Sequence, residues 1–195
     1  MQQKVQSTKA VVEARLMTRR RSQRGATLLE AVAFLGIAAI VLIGAVALFS
    51  NAFHSARANQ LTEEVTAIET AARNMYGRGA GMTANLTDSG IGGLAKANAL
   101  PSTLQVKQTD GTVTDEWGGA VTLTQDTTNK NEVDISFANV PQAECIAALT
   151  AGGDWVSIDV GTTTGVTSPV STSTATTDCT PADGTSQTMV WHFTG

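Results

Sequence analysis

Few side chains in this sequence have both the type and the spacing that chemistry requires. The two histidines, His54 and His192, belong to no His-Glu-x-x-His pattern. No Walker loop, Gly-x-Ser-x-Gly or glycine-rich nucleotide fingerprint occurs either. His54 comes just after a long apolar run, where an interfacial histidine is ordinary. His192 sits between Trp191 and Phe193 in an alternating stretch that reads as a strand, which turns it outward. Gly118-Gly119 after Trp117 reads as a turn before a strand, not as a phosphate cradle. Asp115, Glu116 and Asp88 are of calcium-ligating type, but no Asp-rich loop of calcium spacing surrounds them, so they read as surface charge. No catalytic residue, metal or cofactor is expected, and the chain does not read as an enzyme. The carboxylate in an unusual setting is Glu30, at the front edge of an uncharged run. Unpaired within a bilayer it would cost on the order of 2.5–3.5 kcal/mol, so a cationic partner is to be sought.

The element that positions Glu30 is the run itself. From Ala31 to Phe49 there are 19 consecutive residues without charge or polarity. As a helix they span about 29 Å, close to the roughly 30 Å hydrocarbon core of a bilayer. Before the run, residues 1–25 carry seven basic side chains against Glu13 alone, and the remaining 170 residues carry 6 basic and 16 acidic ones. Positive charge ahead of an apolar run holds the N-terminus in the cytoplasm and sends the acidic remainder of the chain across the membrane. An ordinary secretory signal has a shorter apolar region and a small-x-small cut site after it, and neither is found here. Over all 195 residues, 42% hydrophobic and 15% charged content excludes a disordered chain, and two cysteines exclude a disulfide-dense miniprotein. The acidic balance past residue 25 argues against direct binding of nucleic acid.

The stretch Arg24-Gly25-Ala26-Thr27-Leu28-Leu29-Glu30 at the head of an apolar helix resembles the class III signal of type IV pilins and pseudopilins. The resemblance implies cleavage after Gly25 by a prepilin peptidase and Ala26 as the new N-terminus, a residue commonly methylated in that family. It makes Glu30 the family glutamate at the fifth position. A 25-residue leader is like that of type IVb pilins. Ala26 departs from the Phe of type IVa and from the Met or Leu usual in type IVb. The free α-amine of Ala26, with an ordinary pKa of about 7.7–8.0, would be largely cationic. It is the expected partner for Glu30 of an adjacent subunit, registering each copy on a growing fibre. A heterologous contact repeated in this way makes an open helical filament.

Beyond the run the pattern becomes one-sided. Leu61, Val65, Ile68, Ala72 and Met75 share one helical face, while Glu63, Glu64, Glu69 and Arg73 occupy others. No proline lies between Ala26 and Tyr76, so one helix of about 50 residues ending at Gly77 is expected. Gly36 and Gly44 are its weak points. Pilin helices melt locally in filaments, which makes Gly44 the candidate for melting, with close packing of small residues as the alternative. Residues 77–101 read as a long connection with one short helix around Leu94–Asn98. Strands are expected at Thr103–Lys107, Ala120–Gln125, Glu132–Phe137, Trp155–Val160 and Gln187–Thr194. A helix starting with Pro141 at its first position and ending near Gly152-Gly153 should lie between them. Residues 161–180, with 12 Ser or Thr in 20, read as a solvated loop. A Cys145–Cys179 disulfide would close a loop of about 35 residues and contribute roughly 3–4 kcal/mol. An oxidising periplasm favours that pairing, and it matches the C-terminal disulfide of the family.

The expected fold is therefore α+β: a long helix, apolar then amphipathic, packed on an antiparallel sheet in the type IV pilin manner. The expected domains are a leader at 1–25, a transmembrane or filament-core helix at 26–53, its amphipathic half at 54–76, and a periplasmic head at 77–195 with a disulfide-bounded region at 145–179. The resemblance implies the major subunit of a type IVb pilus serving adhesion, aggregation or conjugative mating. Its implied partners are the prepilin peptidase, copies of itself, the inner membrane before assembly, the pilus machinery and a host or recipient cell surface. The implied location is the inner membrane, then an extracellular pilus of a Gram-negative bacterium. The alternatives are a minor pilin or type II secretion pseudopilin, and a monomeric signal-anchored binding module.

Overall fold

With no proline to interrupt it, the chain from Leu28 to Tyr76 forms one helix, α1. The computed structural model describes residues 27–86, 90–181, 184 and 186–195; residues 1–26, with Gly25 and Ala26, and Asp88 lie outside them. Helix α1 stops where expected, because Gly77 takes φ +95° and donates its N–H to the Arg73 carbonyl at 3.2 Å. The chain divides into two compact units, one ending at Leu48 and one running from Phe49 to Gly195.

In the first unit α1 is apolar on all sides and buries almost none of it. In the second, the remainder of α1 is one-sided, and Ala58, Leu61, Val65, Ile68 and Ala72 are all at most 5% exposed. Two residues depart from the expected face. Met75 is 47% exposed, because Tyr76 takes the inward place at the helix end and donates its hydroxyl to the Gly90 carbonyl at 2.6 Å. Glu64 is 5% exposed and not on a solvated face; the buried stripe is wider than a narrow seam, and Gln60 Nε2 donates to Glu64 Oε1 at 2.9 Å.

The connection after α1 holds two short helices, α2 (Ala80–Asn85) and α3 (Gly90–Lys96), where one was expected. A small sheet comes next, β1 (Gln105–Lys107) antiparallel to β2 (Thr112–Thr114), around the Asp110-Gly111 turn. The main sheet is built from β3 (Val121–Gln125), β4 (Glu132–Pro141), β5 (Ser157–Val160), β6 (Thr163–Val166) and β7 (Ser186–Thr194). All its pairs are antiparallel, in the order β3-β4-β7-β5-β6, with helix α4 (Gln142–Ala151) between β4 and β5 in sequence. Pro141 is the N-cap of α4, one residue ahead of the expected position.

Strand alternation sends Val121, Leu123, Val133, Ile135, Phe137, Ile158, Met189, Trp191 and Phe193 into one hydrophobic cluster with the buried face of α1. Phe137 meets Trp191 edge-on at 5.7 Å between ring centroids, and Trp155 meets Phe193 at 6.4 Å. Aromatic pairs in this arrangement add about 0.5–1.5 kcal/mol to burial alone.

Residues 161–180 are not a simple solvated loop. They contain β6 and helix α5 (Thr172–Asp178), despite a composition that favours neither. Ser171 caps α5 by accepting from the Thr174 N–H at 3.2 Å, and Thr176 and Thr177 turn their hydroxyls back to carbonyls four residues earlier. Ala175 supplies one buried apolar anchor, and the Cys145–Cys179 disulfide ties the end of α5 to α4.

This packing can be tested through stability. Ile68→Ala should cost about 2–5 kcal/mol in denaturant unfolding, and Met75→Ala less than about 1 kcal/mol, although periodicity gives the two the same face. The double change Cys145→Ser, Cys179→Ser should cost about 2–5 kcal/mol, read as a lower unfolding midpoint.

Candidate functional site

The largest exposed chemical feature is the apolar part of α1. Fourteen large hydrophobic residues between Leu28 and Phe53 are each more than 60% exposed, among them Leu28, Phe34, Ile40, Ile43 and Leu48. The most apolar 18-residue window of α1 has a mean hydropathy of 2.8, and none of it is buried. A helix in the core of a soluble protein would pass the same length test but would be buried. Gly36 and Gly44 have open space where a Cβ would stand, so no contact within the subunit requires them to be glycine.

Glu30 lies exposed in the first turn of α1, and its N–H is donated to Thr27 Oγ1 at 3.3 Å. Thr27 and Glu30 stand in the Thr-x-x-Glu spacing of a capping box, and a carboxylate in the first turn also suits the helix dipole. Neither role removes Glu30 from the apolar surface, and among the described residues no cation pairs with it. Ala26, its expected partner, and Gly25, the expected cleavage position, lie outside the described residues.

Further along α1, ion pairs tie the helix to the head. His54 Nδ1 lies 2.9 Å from Glu144 Oε1, in the first turn of α4, and Arg57 Nε lies 3.7 Å from Glu116 Oε2. His54 is thus half of a specific pair and not merely interfacial. Glu144 is fully buried, and its Oε2 has no partner among the described residues. Burial raises the pKa of Glu116, helped by the like charges of Glu64 and Glu144 and opposed by Arg57.

Asp115 is fully buried and so is not the surface charge its sequence setting suggested. Its Oδ1 accepts from the N–H groups of Trp117 at 2.9 Å and Gly119 at 2.7 Å, holding the turn into β3. Gly119 is required there, since a Cβ would stand 1.9 Å from the Ala138 carbonyl oxygen. Burial raises the pKa of Asp115 against these two hydrogen bonds.

A second charged centre lies on the face of the main sheet away from the core. His192 faces outward as alternation requires, yet it is only 8% exposed because carboxylates close over it. Its Nδ1 is 2.8 Å from Asp134 Oδ1 and 3.4 Å from Asp126 Oδ2, and its Nε2 is 3.3 Å from Asp159 Oδ2. Burial works against a charge on the imidazole, but the carboxylates of Asp134 and Asp159 outweigh it and the pKa of His192 is raised. Burial raises the pKa of Asp134 too, whereas Asp126 ends up lowered: its own burial is outweighed by the N–H groups of Asn129 and Thr128. Sequence reasoning misses this cluster, because its members are scattered from 126 to 192. The signal it could have used is the strand alternation that puts Asp134, Asp159 and His192 on outward positions.

An unburied apolar helix with a carboxylate in its first turn, and an antiparallel sheet with a disulfide-closed C-terminal region, define an α+β protein of the type IV pilin class. A family model described as PilS N terminal matches residues 55–193, and the chain belongs to that family. Two solved structures of Salmonella typhi are similar. One is a crystal structure of a type IVb pilin, at 22% identity and TM-score 0.49, covering 69% of this chain and 99% of that one. The other is an NMR structure of the type IVb pilin PilS, at 22% identity and TM-score 0.45, covering 71% and 96%. No curated protein matches the sequence. A pilin is a structural subunit and not an enzyme, and it assembles with copies of itself.

The His192 centre predicts a pH dependence. A folded-state pKa raised above the ordinary 6.5 means that stability is fully present below about pH 6.5 and falls as pH rises through the higher folded value. Denaturant unfolding in EDTA between pH 5.5 and 9 should show that decline. His192→Gln should flatten it.

Proposed function

We propose that the chain is the major subunit of a type IVb pilus, with its 26–53 helices packed together as the hydrophobic core of the filament. One observation carries this reading: fourteen large apolar side chains stand exposed along α1 with Glu30 at their head. At about 1.5–3 kcal/mol for each such side chain fully buried, that surface has no stable home in water. It belongs first in the inner membrane and then among copies of itself. The leader 1–25 is removed after Gly25 by the prepilin peptidase. Residues 54–76 continue the helix as its amphipathic half, and residues 77–195 form the exported head, with the disulfide-bounded region at 145–179.

In the assembled fibre the α-amine of Ala26 neutralises Glu30 of a neighbouring copy. In the low-dielectric filament interior that pairing offsets the cost of burying either charge, and it fixes where each subunit stops. Gly44, where an added Cβ would meet open space, is where the helix opens on assembly. The head, with the Thr-rich residues 161–180, is the surface presented to a host or recipient cell.

Intact-mass analysis of the membrane-extracted protein, with and without a prepilin peptidase, tests the processing step. Loss of residues 1–25 is the expected result, and a full-length mass despite an active peptidase would sink it. Glu30→Ala tests assembly, with stable processed protein in the inner membrane and at least a tenfold loss of surface filaments expected. Filaments at normal yield would exclude the pairing.

A further inference from the structure

The geometry points to a site for one divalent first-row transition ion of the zinc type on the outer face of the head sheet, held by His192 Nδ1 and the carboxylates of Asp134 and Asp126. This inference does not rest on filament assembly, and none of its residues belongs to α1. Strand register creates it: Asp134 on β4 lies directly across from His192 on β7, and Asp126 reaches the same point from the turn after β3.

The ligand atoms of Asp126, Asp134 and His192 lie within 4.8 Å of one another. A tetrahedral ion with bonds of about 2.0–2.1 Å holds its ligand atoms about 3.3 Å apart. The two Nδ1–oxygen separations, 2.8 and 3.4 Å, lie on either side of that value.

The surroundings are arranged as metal centres arrange them. Asp159 Oδ2 sits 3.3 Å from the far nitrogen, Nε2. A histidine that ligates metal ordinarily donates its other N–H to such a carboxylate, which fixes the tautomer and aims the free lone pair. Here that lone pair is aimed at two carboxylate oxygens, an arrangement that is repulsive unless a proton or a cation lies between them. Asp126 is held ready, since its Oδ1 accepts the N–H groups of Thr128 and of Asn129, the latter at 2.5 Å, and its Oδ2 is left for the site.

Charge leads to the same conclusion. Three carboxylates face one imidazole, and the nearby cation is Lys130, whose Nζ lies 3.4 Å from the Asp126 carbonyl oxygen. A dication that replaces the proton on Nδ1 would set two positive charges in place of one beside three carboxylates. Calcium prefers six to eight oxygen ligands, whereas one imidazole nitrogen with two carboxylates and space for water suits zinc. The ion would link β4, β7 and the β3–β4 turn directly, and β5 through Asp159.

The test is calorimetric titration of zinc chloride into the full-length protein, solubilised in detergent and stripped with EDTA, in two buffers of different ionisation heat. One equivalent should bind with proton release, and the thermal midpoint should rise with zinc. Asp134→Asn and Asp126→Asn should each weaken binding at least tenfold, and Asp159→Asn about 10–100-fold through the imidazole. His192→Gln should abolish binding, and the asparagine variants keep the test decisive if that variant fails to fold. No zinc binding, with His192 Nδ1 still protonated by NMR, would overturn the site and leave an imidazolium clasped by carboxylates. Zinc binding unchanged in both Asp134→Asn and Asp126→Asn would overturn it too, as would calcium binding as tightly as zinc.

Discussion

An apolar helix segment that its own subunit does not cover governs how everything else in this molecule is built. Between Leu28 and Phe53, fourteen large apolar side chains of α1 stand exposed. Water is a poor solvent for such a surface, and the backbone there is satisfied only because every peptide group bonds within the helix. The function proposed above resolves this by moving the segment from a bilayer into a bundle of identical helices. The remainder of the chain must then be stable without help from that segment.

The head meets this demand with the later turns of the same helix. From Ala58 onward the apolar positions narrow to a stripe, and that stripe joins the inward rows of five strands in one core. The stretch 161–180 adds little apolar surface, and α5 offers Ala175 alone as a buried side chain. It is held by the disulfide, by the Ser171 cap and by threonine hydroxyls bonded to their own helix. Covalent closure makes up for what composition does not supply.

Charged groups in the head are placed with similar economy. The buried Glu144 meets His54, Asp115 closes a turn through backbone amides, and three aspartates gather on His192. A buried or half-buried charge without compensation would destabilise the fold by several kcal/mol. Glu144 and His192 therefore mark points where separate elements meet, α1 with α4 and β4 with β5 and β7.

Local pattern made much of this readable from residues alone. The uncharged run, the proline-free helix to Gly77 and most of the strands are features of contiguous residues, and contiguous residues report their own period. Helix α5 was illegible because threonine-rich sequence prefers no helix, and only docking through Ala175 and Cys179 makes one. Sequence alone sets Glu64 off the apolar face and Asp115 at the surface, because a carboxylate alone prefers water. Their burial depends on what the fold brings over them. The cluster at His192 is the clearest case, since Asp126, Asp134, Asp159 and His192 have no sequence relation and meet only because antiparallel register aligns β4, β5 and β7. Which segment shuns water and where the chain turns are settled by residue order alone, because transfer energy and backbone preference belong to individual residues. Which charges share a site is settled only on folding, because electrostatic interaction depends on distance in space and not along the chain.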